Sequence, residues 1–210
     1  MKYIFTTVLS LLFSIAFAQY IEVKNMNYMF AKVNNELKVS NIDNLAECKI
    51  FNQGTPIEFE IKNNQTIIAK PQRPTNRNGV MVFITNPNGD TVLSQKIVIK
   101  RIPNPKASFL GKRCGVISHQ RLIKGNKLDA KFDFYKIDCQ PNVYKFSLII
   151  IKSDGTKINL VNDNKSEIFT DEIKKALAQT KTDDLILFKD IIVRMPGGSS
   201  VLSPLIFKVK

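Results

Sequence analysis

Tryptophan is absent from this sequence, and histidine occurs once, at His119. A sugar-binding platform built on aromatic faces therefore lacks its largest ring. A Ser-His-Asp arrangement would have to use His119, yet no G-x-S-x-G turn presents a serine nucleophile. Cysteine is scarce too: Cys48, Cys114 and Cys139 contain no C-x-x-C pair, and with one histidine they fall short of a structural zinc site in a usual spacing. The nine glycines form no phosphate-cradling loop, and Pro196-Gly197-Gly198 reads as a turn. Asp183 and Asp184 adjoin, but neighbouring strand positions point to opposite faces, which is poor for paired acid-base work. These shortages predict a chain that is not an enzyme, with no catalytic residues, cofactor or metal. The one nucleophilic alternative they leave is Cys114, five residues before His119.

Long apolar runs are equally scarce. The one present, Tyr3 to Ala18, follows Lys2 and ends in Ala16-Phe17-Ala18, a small-x-small site before Gln19. Charge, length and terminus are those of a signal peptide. The run is short for a membrane anchor, which needs about 20 apolar residues. Residues 1–18 are thus expected to be cleaved, giving an exported chain with no membrane span, periplasmic rather than secreted. Export permits disulfides. Cys114 and Cys139 are the natural pair, with Cys48 left over; free buried thiols are the other reading.

Acidic residues are few: 18 against 31 basic, and 18 against 30 once Lys2 is removed. The excess is uneven. Arg101 to Lys127 holds seven basic residues and no acidic one. Such a stretch suits an acidic partner, an anionic surface or plain solubility. Export argues against nucleic acid. Lys112, Arg113, Arg121, Lys124 and Lys127 are the candidate partner-binding face.

What is abundant is strand pattern. Eight segments between Tyr20 and Lys100 are short and rich in Ile, Val and Phe, and Ile57-Glu58-Phe59-Glu60-Ile61 alternates strictly. Asn34-Asn35 and Asn63-Asn64 are expected as tight two-residue connections, Asn86 to Asp90 as a longer turn, and Arg73 to Gly79 as an exposed loop. Asp90-Thr91-Val92 resembles the O-glycosylation triplet of some exported Bacteroidetes proteins; a turn followed by a strand-initiating Thr accounts for it as well. Regular short strands without helical period predict an immunoglobulin-like β-sandwich over residues 19–101.

Pro103 and Pro105 then flank Asn104. Proline gives no donor to a strand ladder and holds its predecessor extended. Residues 102–106 are expected as a stiff linker. The stretch 107–210 reads as a second β-rich domain. It has strands at 126–134, 142–152 and 156–161, a hairpin turn at Ser153 to Thr156, and a long strand at 183–195 bulged at Lys189-Asp190. A closing strand at 204–209 follows. One short helix is expected after Thr170, with Asp171 and Glu172 in its first turn and Ile173, Ala176 and Leu177 on one face. The fold class is mostly β. The fourteen Phe fall mainly on alternating strand positions and are assigned to cores.

From Lys96 onward the sequence resembles the gliding-motility GldM family, which includes PorM. Lys100-Arg101-Ile102-Pro103-Asn104-Pro105 is similar to the family passage between its third and fourth extracytoplasmic domains, with Asn for Asp. Gly115, Ile117, Ser118, Leu122, Ala130, Phe132 and Phe134 match its following segment. "YKFSLIIIKSDG", "FTDEIKKAL" and the block from Asp183 to Val209 are similar to its strand, helix and closing strands. Thr182-Asp183 replaces a Gly-Asp, and an arginine before the last leucine is missing. The resemblance covers 100–210, and "NMNYMF" extends it faintly over 25–99. It implies the distal half of such a protein behind a signal peptide, without the transmembrane helix that couples the family to its motor. Its implied partners are periplasmic and outer-membrane proteins of type IX secretion or gliding motility, and dimerisation through β domains carries over as an expectation. The alternative is an exported adhesive or structural β-sandwich module unconnected with secretion.

Overall fold

The computed structural model describes residues 19–24, 26–133 and 137–210. The expected signal peptide, residues 1–18, and Phe134 lie outside them. The chain divides into two compact units between Lys100 and Arg101, and each has its own hydrophobic core.

The first unit is a β-sandwich. Its strands are β1 (Tyr20–Val23), β2 (Tyr28–Phe30), β3 (Asn35–Ser40), β4 (Lys49–Gln53), β5 (Ile57–Asn63), β6 (Thr66–Pro71), β7 (Val80–Thr85) and β8 (Thr91–Lys100). A 3-10 turn at Leu45–Glu47 precedes β4. One sheet runs β1-β3-β6-β5 and the other β2-β8-β7-β4. Alternation decides what faces inward: Leu37 and Val39 on β3, Ile67 and Ala69 on β6, and Val82 and Ile84 on β7 fill one core. The chain changes sheet repeatedly, the immunoglobulin-like habit that separates sequential strands. All eight expected strands are present. The pairing of β2 with β8 is parallel, a long-range arrangement with no local signature.

Two asparagine turns differ from expectation. Asn35 is not in a hairpin: β2 and β3 belong to different sheets, and Asn35 is a buried strand residue. Its Nδ2 donates to the carbonyls of Phe30, Val33 and Ala69, and its Oδ1 accepts from the Phe30 amide at 2.7 Å. The left-handed backbone there belongs to Lys32, at φ 65°. The β5–β6 hairpin is tight, but Asn63 contributes by accepting from the Gln65 amide at 2.9 Å, an Asx turn. Asn86 to Asp90 turns as expected, with the Asn86 amide donating to the Asp90 carbonyl and Gly89 at φ 93°.

An edge strand carries a row of unpaired backbone groups. On the free side of β1, Ile21 is met by the Gln95 side chain of β8: Oε1 accepts from the Ile21 amide and Nε2 donates to its carbonyl, both at 2.7 Å.

The second unit contains β9 (Lys106–Ser108), β10 (Cys114–Ile117), α1 (His119–Leu122), β11 (Asp129–Lys131), β12 (Asn142–Ile151), β13 (Lys157–Asn162), α2 (Asp171–Ala178), β14 (Leu185–Met195), β15 (Gly198–Leu202) and β16 (Leu205–Val209). Its main sheet runs β10-β16-β14-β12-β13, with β15 paired to the far half of β14. The expected strand at 126–134 shortens to β11, which pairs with β9. Four-residue α1 was not anticipated. The α2 helix is as expected: Thr170 Oγ1 accepts from the Ile173 amide, and Ile173, Ala176 and Leu177 are buried.

Both long strands break parity. On β14 the inward residues are Ile186 and Phe188, then Ile191 and Val193. The extra residue lies at the expected bulge, where Asp190 takes φ 52° and the register with β12 shifts between Ser147 and Lys145. The inner face carries a phenylalanine cluster. The Phe109 ring centroid lies 5.2 to 5.9 Å from those of Phe188, Phe169 and Phe207, stacked on Phe169, tilted to Phe188 and edge-on to Phe207. Gly125 backs this ring: a Cβ there would lie 2.2 Å from Phe109 carbons.

The proline stretch is not a free spacer. Pro105 is buried, Asn104 Oδ1 accepts from the Ser200 hydroxyl at 2.9 Å, and Lys106 already pairs with Lys131 in the β9–β11 ribbon. Residues 101–106 are thus part of the second unit. Pro105 satisfies its lack of a donor by ending just before the ladder begins.

Candidate functional site

The five expected cations separate into groups. Phe109 and Lys112 bond to each other across a two-residue turn in which Leu110 and Gly111 both take positive φ. Arg121, on α1, sends Nη2 to the Leu110 carbonyl at 2.9 Å. This places Arg121 beside Lys112 and fixes a flexible side chain without neutralising it. Lys112 Nζ donates to the Val116 carbonyl at 3.3 Å, also an uncharged partner. Arg113 differs: it pairs with Asp133, which also holds Lys106 Nζ at 2.6 Å. The Lys106 ammonium first, and the Arg113 guanidinium after it, hold the Asp133 carboxyl below its usual range. Lys106 and Arg113 therefore share one carboxylate, while Lys112 and Arg121 are held by carbonyls.

Lys124 follows α1, exposed. Lys127 sits elsewhere. It bonds to Asp129 at 3.1 Å, which raises its pKa, and it lines a cavity of about 790 Å³ between residues 127–132 and 137–143. Sequence reasoning missed this cavity because its walls join β11, the start of β12 and Glu167, which no local signature brings together. Cys139 lies in it, and burial, then the Asp138 charge, pushes its thiol pKa up. That makes it a poorer nucleophile.

All three cysteines are free, so the Cys114–Cys139 bridge is not formed in this structure. Cys114 lies exposed on β10, and Cys48 is buried. His119 directs Nε2 to the Ala178 carbonyl at 3.1 Å. That contact ties α1 to the end of α2, and its backbone amide bonds to the Lys210 carbonyl. Asp183 and Asp184 diverge as expected: Asp183 pairs with Lys208 at the surface, and Asp184 is 1% exposed. Asp184 accepts from the Ser153 and Lys181 amides at 2.9 Å and lies 3.4 Å from Lys152 Nζ. It ties the β12–β13 turn to the start of β14. Among the described residues no three His, Cys, Asp or Glu side chains gather into a metal-sized group, and no helix is long and apolar enough to cross a membrane.

A second surface feature went unread in the sequence. The sheet face of the second unit opposite the phenylalanine cluster is apolar but exposed. Ile206, Leu187 and Ile149 are direct neighbours across β16, β14 and β12. Leu185 and Ile151 form the next row. Val116, Val161, Leu185, Val201 and Ile206 are between 39% and 68% exposed. Apolar residues on both faces of β12 and β14 look in sequence like a strand buried twice over.

No protein-family model matches the chain, and no curated protein matches it. Among solved structures it is similar to the fibronectin(III)-like modules of Clostridium thermocellum CbhA, at 11% identity and TM-score 0.28 over 90% of this chain and 93% of that one. Domains 6–7 of the surface layer protein SbsC are 10% identical, with TM-score 0.32 over 91% and 97%. The Yersinia pseudotuberculosis adhesin InvE is 7% identical, with TM-score 0.28 over 90% and 58%. At these scores the similarity supports no conclusion about this chain.

Proposed function

We propose that this chain is a non-catalytic protein-interaction module, exported to the periplasm, that resembles the distal half of the GldM family and binds proteins of a type IX secretion or gliding apparatus. The observation that carries it is the corner formed by Lys112, Arg113 and Arg121. Two of these cations are held by backbone carbonyls, so their positions are set while their charge stays available. Fixed surface charge speeds and orients encounter with an acidic partner more than it adds affinity. The sequence resemblance supplies the class of partner.

The test is capture by the mature chain from periplasmic extract, followed by binding kinetics with the recovered protein. Lys112→Ala with Arg121→Ala should slow association about tenfold and flatten its salt dependence, with the thermal midpoint little changed. Recovery of no secretion or motility component at any salt would overturn the assignment. Thiol labelling addresses the enzymatic alternative: rapid modification of Cys114 at neutral pH would favour it.

A further inference from the structure

We propose that the exposed outer face of the β10-β16-β14-β12-β13 sheet is a docking surface for a protein segment bearing an apolar stripe flanked by carboxylates. This rests on the protein-interaction reading above but uses a different surface. Five of the nine large apolar side chains more than a third exposed in the described chain lie on this sheet face, at Val116, Val161, Leu185, Val201 and Ile206. Scattered exposed apolar residues are ordinary, whereas a contiguous apolar patch marks an interaction site. Here the cross-strand row Ile206–Leu187–Ile149 makes the patch continuous.

Charge selects the occupant. Lys145, Lys157, Lys189, Arg194 and Lys208 stand on this face, against Asp163, Asp183 and Asp190. Lys145, Lys189 and Lys208 pair with those carboxylates at 3.0, 3.4 and 2.8 Å. Lys157 makes no ion pair among the described residues, and Arg194 lies over the Tyr144 ring at 3.7 Å. The surplus is cationic. A second copy of a chain with net charge +13 meeting this face through the same face would set lysine against lysine. A stripe edged with Glu or Asp would instead find partners at Lys157 and Arg194 while burying Ile206, Leu187 and Ile149. The other side of the same sheet already buries an amphipathic segment: α2 contributes Ile173 and Leu177 to the core and carries Asp171 and Glu172, then Lys174 and Lys175, on its polar side.

The probe is a synthetic amphipathic helical peptide, a leucine stripe flanked by glutamates, titrated against the full mature chain by fluorescence anisotropy. A peptide with lysines in place of the glutamates is the control. The glutamate peptide should bind, with affinity falling as salt rises. Ile206→Ser and Val201→Ser, both at exposed positions, should each weaken it about fivefold to tenfold with unchanged thermal midpoints. Arg121→Ala alone, which leaves the Lys112 contact with Val116 in place, should leave it unaltered, which separates this surface from the corner above. Equal binding of both peptides overturns the proposal, as does binding indifferent to Ile206→Ser and Val201→Ser. So does absence of binding together with self-association, in sedimentation velocity, that Ile206→Ser abolishes; that outcome assigns the face to a second copy. If the peptide binds as expected but no secretion component is captured, the docking surface stands and the functional assignment falls.

Discussion

Asn35 bonds four backbone groups with one side chain: the amide and carbonyl of Phe30, the Val33 carbonyl, and the carbonyl of Ala69, its ladder partner on β6. Its amide so joins the end of β2, which lies in the other sheet, to the β3–β6 pair. Asn35→Ala would remove this buried partner from all four. Each unmet buried group costs about 1–3 kcal/mol, with partial relaxation toward water. A loss of about 3 kcal/mol in urea unfolding of the first unit is expected, and a loss below about 1 kcal/mol would contradict this account. Asn35→Asp should fail as well at neutral pH, since a carboxylate accepts from the Phe30 amide but repels three carbonyls. Nothing in "NN" distinguishes a turn amide from a buried one. The distinguishing fact is the position of Ala69, 34 residues away.

Asp184 carries the clearest pH dependence. Burial by itself would raise its pKa, but the Lys181 and Ser153 amides and the Lys152 ammonium together bring it below the ordinary aspartate range. A carboxylate whose folded pKa is depressed adds stability that is complete above its unfolded pKa and is lost as pH falls through the folded one. Stability of the second unit should therefore decline from about pH 4 downward. Asp184→Asn should lower stability at pH 7 and flatten the profile below about pH 4. Thermal midpoints measured from neutral pH into that acid range decide it; an unchanged slope would assign the acid sensitivity elsewhere.

At the scale of elements, strands with strong alternation were readable and their partners were not. β5, β7 and β8 follow from Ile, Val and Phe spacing, and β3 from Leu37 and Val39. β9, β10 and β15 are three to five residues long and exist only because β11, β16 and β14 lie beside them. The helix after Thr170 was legible because capping chemistry is local. The cationic cluster was legible as composition, but not the separation of Lys127 from Arg121, which depends on where two loops are carried. Edge treatment also escapes a linear reading. Gln95→Ala should leave the Ile21 amide and carbonyl without their side-chain partner. Hydrogen exchange at Ile21 should accelerate by at least about tenfold, with a loss of about 1 kcal/mol in overall stability. Exchange at Leu37 and Val39, in the middle of the sheet, should move far less.

For the whole molecule, each core is composed of residues from one side of Lys100/Arg101. The buried Pro105 and the Asn104–Ser200 bond assign the proline stretch to the second unit. A fragment beginning at Arg101 should therefore unfold cooperatively by itself, and one beginning at Lys112, which lacks β9 and Phe109, should not. Circular dichroism melts of the two fragments check this, and a cooperative melt from the shorter one would show that Phe109 is not the centre of that core. Phe109 contacts three other rings and is backed by Gly125, so its removal would empty more volume than any peripheral aliphatic.

The bulge at Asp190 sets how β14 tolerates a change of length. Phe188 and Ile191 are three positions apart, and the extra residue between them keeps both on the core side. Without Asp190 the strand would alternate simply and still send Ile191 and Val193 inward, so that deletion is mild. Loss of Ile192, where alternation is unbroken, would put Arg194 in the place of Val193 and ask a guanidinium to replace a valine in the interior. One letter is expendable at the first position and indispensable two letters later.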